Sequence, residues 1–68
     1  MTDTKKLTQL IDAKGLKHGF IAKELGMSRQ LFSSRLHGRT EFRTREIIAL
    51  CKILDIPEPE REVIFFSA

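Results

Sequence analysis

Apolar residues recur along this chain at helical spacing, and short breakers divide them into five segments. Leu7, Leu10 and Ile11 stand at i, i+3 and i+4, which predicts a helix over Thr4–Lys14. Asp3 or Thr4 can cap its start, and Gly15 supplies a stop. A second helix is expected from about His18 to Leu25, with Ile21, Ala22 and Leu25 on one face and Gly26 ending it. Ser28 suits the N-cap of a third helix, Arg29 to Leu36, whose inward residues are expected to be Met27, Phe32 and Leu36. Gly38 falls where that helix would stop, and Arg39-Thr-Glu-Phe-Arg43 follows as a charged linker with Phe42 as its anchor to the core. A fourth helix is expected over Arg45–Leu54, capped by Thr44, with Glu46 in the favourable first turn and a buried stripe of Ile47, Ile48, Cys51 and Leu54. Asp55-Ile-Pro-Glu-Pro breaks the pattern, and Pro59 suits the first position of a final helix, Pro59–Phe66. Contiguous Val63-Ile-Phe-Phe66 is the one run that could pass for a strand. The periodicity therefore predicts an all-α bundle without repeats or low-complexity tracts.

Length restricts the ways this bundle can be stabilised. A chain of 68 residues is expected to form one domain. At that size folding buries only about 60% of the unfolded surface. Cys51 is the single cysteine, so an internal disulfide is impossible, and no metal-ligand spacing surrounds it. A regular helix bundle, helped by dimerisation, is the remaining solution. Twelve Lys and Arg against nine Asp and Glu give a net charge of +3, which permits an anionic partner. The N-terminus carries no apolar leader core, and no apolar run approaches the roughly 18 residues that span a bilayer. No membrane partner and a cytoplasmic, reducing location are expected. No nucleophile–base pair, phosphate-cradling glycine loop or facing carboxylate pair appears, and a bundle this small leaves little room for a substrate cavity. The expectation is a protein that is not an enzyme and needs no cofactor, metal or small-molecule substrate.

The stretch Lys17 to Leu36 carries the most information. Gly26 sits where a tight interhelical turn needs a residue free to take positive φ, and small Ala22 sits one turn earlier, where crossing helices come close. Ile21 and Leu25 before the turn, with Met27 and Phe32 after it, can lock the two helices together. The outer face of the second helix in this pair then offers Arg29, Gln30, Ser33 and Ser34. This is a helix-turn-helix over about residues 18–36, an arrangement that places side chains in the DNA major groove.

Three segments carry a wider likeness: Ile-Ala-Lys-Glu-Leu-Gly-Met-Ser-Arg-Gln at 21–30, Leu-His-Gly-Arg-Thr at 36–40, and Ile-Ile-Ala-Leu-Cys-Lys-Ile-Leu-Asp-Ile at 47–56. With them the chain resembles, over about Leu7 to Leu54, the phage Cro and repressor type of helix-turn-helix domain, the Xre-like, lambda-repressor-like family. The resemblance implies a compact five-helix DNA-binding bundle that acts as a dimer on a two-fold operator. It implies base reading by Ser28, Arg29, Gln30, Ser33 and Ser34. It implies phosphate contacts from the start of helix two, Lys17 and His18, and from the loop after helix three, Arg39, Thr40 and Arg43. Chemistry agrees: arginine can bond guanine O6 and N7 in bidentate fashion, and glutamine can do the same to adenine N6 and N7. Free backbone N–H groups at the start of helix two also suit an anion. His18 is expected to act as a neutral hydrogen-bond donor, and His37 to belong to the end of helix three.

Departures from the family pattern are specific. Lys17-His18 stands where Thr-Gln is common, and Gly19-Phe20 is an unusual choice for an exposed first turn. Arg35 occupies a place often held by an aliphatic residue; either the helix is slightly rotated or Arg35 packs its stem and sends its head to solvent. Leu31 could touch a thymine methyl, but packing against Phe20 is the preferred expectation.

The tail is unusually apolar. One helical face can bury about half of Val63–Phe66, and the remainder would form a patch of the kind that marks an interface. Ile64, Phe65 and Phe66 are the expected dimer contacts. The leading functional expectation is a sequence-specific double-stranded-DNA regulator, a Cro-like phage or prophage repressor acting by operator occupancy. The alternative is a protein-interaction module, an antirepressor or antitoxin on the same fold.

Overall fold

A computed structural model describes residues 1–66. Five helices follow one another: α1 (Thr4–Lys14), α2 (His18–Glu24), α3 (Arg29–Leu36), α4 (Thr44–Ile53) and α5 (Glu58–Phe65). No strand occurs among the described residues, so the Val63–Phe65 run is helical.

Local chemistry sets the helix ends. Asp3 Oδ1 accepts the Lys6 N–H at 3.1 Å, and Ser28 Oγ accepts the Leu31 N–H at 3.0 Å, so α1 and α3 each begin on a side-chain cap. α4 starts one residue earlier than expected, and Thr44 is inside it rather than capping it. There the Glu46 carboxylate reaches back and accepts the Arg43 N–H at 2.9 Å. That is one half of a capping box; the other half is missing because an arginine side chain has no acceptor. At the end of α2, Gly26 takes φ 72°, the Met27 N–H bonds the Ala22 carbonyl at 3.0 Å, and the Gly26 N–H bonds the Lys23 carbonyl at 3.0 Å. This pair of bonds closes the last turn and aims the chain at α3. Asp55 (φ 52°) ends α4 in the same left-handed conformation, with the Ile56 N–H bonded to the Cys51 carbonyl at 2.9 Å. Aspartate tolerates that region better than most side chains.

The core draws on every helix: Leu7 and Ile11, Ile21 and Ala22, Phe32 and Leu36, Leu50 and Cys51, then Ile64 and Phe65. Phe42 is buried from the α3–α4 linker and so ties that linker down. Its ring meets Phe32 at 6.2 Å and Phe65 at 6.3 Å, both edge to face, which couples α3, the linker and α5. The Asp3 N–H donates to the Ile64 carbonyl, joining the chain's start to α5.

Two expectations are corrected. Ile48 is 54% exposed, and Leu50 is fully buried in its stead. The inward stripe of α4 is Ile47, Leu50, Cys51 and Leu54, the i, i+3, i+4, i+7 set, and Ile48 lies about 100° round the helix from Ile47. Arg35 does not send its head to solvent: it is 7% exposed, on the same inward face as Phe32 and Leu36. Its guanidinium meets the buried carboxylate of Glu46, with Nε 2.7 Å from Oε1 and Nη2 donating to Oε2 at 3.3 Å. Nη1 donates to Thr40 Oγ1 at 3.1 Å. Nε is close to the carboxylate but out of line for a hydrogen bond, so that contact is coulombic. A guanidinium removed from water requires such a countercharge.

Candidate nucleic-acid interface

α2 and α3 pack on each other through Ile21, Ala22, Leu25 and Phe32, with the Gly26 turn between them. This leaves the start of α3 at the surface. Arg29 and Gln30 are both exposed, adjacent, and in the first turn of a capped helix. Arg29 has no hydrogen-bond or ion-pair partner among the described residues. α3 holds two arginines, and their states differ: Arg35 is neutralised by Glu46, whereas Arg29 keeps a free charge.

The remaining expected base readers are more constrained. Ser28 is exposed, but its Oγ already accepts the Leu31 N–H. Ser33 and Ser34 are half-buried. His37 Nδ1 lies 2.8 Å from the Ser33 carbonyl and 3.2 Å from Ser33 Oγ. A carbonyl only accepts, so the shorter contact puts the proton on Nδ1, and His37 closes the end of α3.

The structure brings His18 to the start of α3. His18, Arg29, Gln30 and Ser33 line one shallow cleft above Phe32. The imidazole stands edge-on to the Phe32 ring at 5.8 Å and 79°, so its apolar body is anchored on the core while the residue remains exposed. Lys17 is exposed beside it and gives α2 no side-chain cap, which leaves its ammonium available. Phe20 and Leu31 both remain at the surface, 49% and 37% exposed.

The second expected phosphate group is separate. Arg39, Thr40 and Arg43 are exposed on the linker after α3. Thr40 lines a different depression, with Thr4, Arg35, Gly38 and Glu41. Its Oγ1 accepts from Arg35, which leaves its own O–H to donate to an anionic oxygen. Glu46 holds both Arg35 and the Arg43 N–H, so one buried carboxylate fixes each end of the segment from Thr40 to Arg43.

Of the three tail residues expected at a dimer contact, Ile64 and Phe65 are buried in the chain's own core, because they lie on the face of α5 that meets Phe42 and α1. Phe66 is 60% exposed and Val63 46%.

Two features escaped the sequence reading. One is the Glu46 network, whose only signal was an arginine on an apolar stripe. The other is the packing of Arg29 over Gly19, signalled only by a glycine inside a helical first turn. Among the described residues no helix is long and apolar enough to cross a membrane, and no group of three or more His, Cys, Asp or Glu could hold a metal.

Residues 5–64 match the family described as "Helix-turn-helix domain", a family of the Xre/Cro-like type. That covers most of the chain, and the chain belongs to this family of DNA-binding helix-turn-helix domains. Comparison with curated proteins and with solved structures gave no match.

Proposed function

We propose that this chain is a sequence-specific regulator that binds a two-fold DNA operator as a homodimer and represses, in the manner of Cro, by occupying its site. One observation carries the reading: a free arginine and an adjacent glutamine stand exposed at the capped start of α3. These two side chains have the donor and acceptor geometry that distinguishes guanine and adenine edges in the major groove. Ser28, Ser33 and Ser34 add shorter polar contacts. Lys17 and His18 on one side, and Arg39, Thr40 and Arg43 on the other, grip phosphates and set the register. Phe66, with Val63 beside it on α5, supplies the apolar contact between protomers.

Selection of bound duplexes from a random pool tests this directly. The expected product is a palindrome whose half-sites lie about one DNA turn apart. Affinity should fall steeply with salt as counterions are released. Arg29→Ala should cost about 1–3 kcal/mol and relax preference at one base pair. Weak, sequence-blind binding would refute the reading and favour an interaction module on the same fold.

A further inference from the structure

Three of the four glycines have positive φ: Gly15 at 70°, Gly26 at 72° and Gly38 at 78°. Gly19 is different. It lies in the first turn of α2 with ordinary helical backbone, so no dihedral demands a glycine there. Glycine in a helix costs up to about 1 kcal/mol relative to alanine. What its bare backbone admits is the side chain of Arg29. A Cβ built on Gly19 would lie 3.4 Å from Arg29 Nε, 3.5 Å from Cδ and 3.8 Å from Cζ. The arginine therefore folds back from the start of α3 and rests across the first turn of α2. No carboxylate among the described residues pairs with it there. Gly19 and Arg29 also line one depression together with Asp12, Lys17, His18 and Phe20, and Asp12 makes no ion pair with the arginine.

We infer that Gly19 is a specificity-determining position: the space that any side chain longer than a methyl would fill sets where the Arg29 guanidinium rests, and so which base edge it reaches. This rests on the DNA-reading role proposed above for Arg29. At 3.4 Å an alanine methyl makes an ordinary contact, so Gly19→Ala leaves Arg29 in place. Leucine fills the space that the guanidinium stem occupies and pushes it forward. Glutamate pushes it and also offers a carboxylate that ties it down.

The test is duplex selection with the full chain, its Gly19→Ala, Gly19→Leu and Gly19→Glu variants, Arg29→Ala, and the Gly19→Leu/Arg29→Ala double variant. Melting curves confirm that each is folded. Gly19→Ala should melt higher. Gly19→Leu and Gly19→Glu should lose about fivefold or more discrimination at the base pair that Arg29→Ala relaxes, and at no other. The double variant should then lose no more than Arg29→Ala alone, which separates positioning of Arg29 from a general structural effect. If Gly19→Leu and Gly19→Glu fold and keep full discrimination while Arg29→Ala loses it, the inference fails and the DNA reading stands. If the wild-type chain selects no site, both fail. NMR of the free protein gives an independent readout. The Arg29 Nε–Hε signal should shift in Gly19→Leu and stay put in a Lys52→Leu control. An unmoved signal in Gly19→Leu overturns the proposal without reference to DNA.

Discussion

The Arg35–Glu46 pair offers the sharpest test of how this small bundle is held together. Glu46→Ala removes the carboxylate that lies 2.7 Å from Arg35 Nε and accepts from Nη2 at 3.3 Å. Arg35 is 7% exposed, so its guanidinium cannot recover its hydration without opening the end of α3. Thr40 Oγ1 remains as a neutral acceptor at 3.1 Å, which does not balance a full charge. Stranding a buried charge typically costs about 3–5 kcal/mol. A domain of 68 residues has total stability on the order of 3–10 kcal/mol. Glu46→Ala should therefore lower Tm by about 12–40 °C or abolish folding. The pair itself need not be worth that much, because desolvating both charges opposes their attraction. Arg35→Met/Glu46→Leu, which deletes both charges and keeps the volume, should melt far closer to wild type than Glu46→Ala does. Urea denaturation followed by far-UV circular dichroism measures all three proteins. Added salt should change the Glu46→Ala deficit little, because a buried pair is poorly screened. A loss below about 1 kcal/mol in Glu46→Ala would put this contact with exposed ion pairs and refute the argument. So would a double variant no more stable than the single one. If the pair also holds the linker in the place proposed for its phosphate contacts, the double variant should bind DNA more weakly while keeping its base preference.

Other consequences are separable from this one. Burial raises the Cys51 thiol above its ordinary pKa, opposed in part by the nearby Arg61 charge. Because the folded value is the higher one, this group's contribution to stability is full below the unfolded thiol pKa of about 8.5 and is lost as pH climbs through the folded value, by at most about 1.4 kcal/mol per pH unit. Cys51→Ala should therefore lose stability less steeply above that point, and parallel alkaline profiles would contradict it. Gly26→Ala forces a side chain into the left-handed region at φ 72° and should cost about 1–2 kcal/mol in chemical denaturation; an unchanged midpoint would mean that the turn rearranges. Phe66→Ser removes an exposed ring and should change monomer stability by no more than about 0.5 kcal/mol, while lowering sedimentation-derived dimer affinity and operator affinity together. Unchanged sedimentation removes Phe66 from the dimer contact.

Much of the fold was legible because its signals are local. Caps at Asp3 and Ser28, the stop at Gly26 and the i, i+3, i+4 spacing of Leu7, Leu10 and Ile11 each act within a few residues. The tail was legible in proportion but not in detail: half of Val63–Phe66 is buried, yet it is Ile64 and Phe65 that turn inward. α4 was misphased for a related reason. Ile47, Ile48 and Cys51 satisfy helical spacing among themselves, and so do Ile47, Leu50 and Cys51. Periodicity alone cannot choose between the two sets. Packing chooses, because the side at Leu50 faces the rest of the bundle and Ile48 does not.

The two arginines of α3 mark where local reading stops. Arg29 and Arg35 are the same residue type on one short helix, and the sum of charges counts them equally. Phe32, Arg35 and Leu36 form an inward i, i+3, i+4 set, but a charged residue in that register was expected to send its head to solvent. What periodicity could not supply was the countercharge, which comes from Glu46 on the next helix, across the linker. Arg29 shows the reverse case: its exposure follows from position, but its resting place depends on Gly19 across the helix-turn-helix, on the preceding helix. In both cases the side chain's state is set by a residue at a distance in sequence, one by offering charge and the other by offering space. Of the two, Arg29 is the one left at the surface to meet an anion.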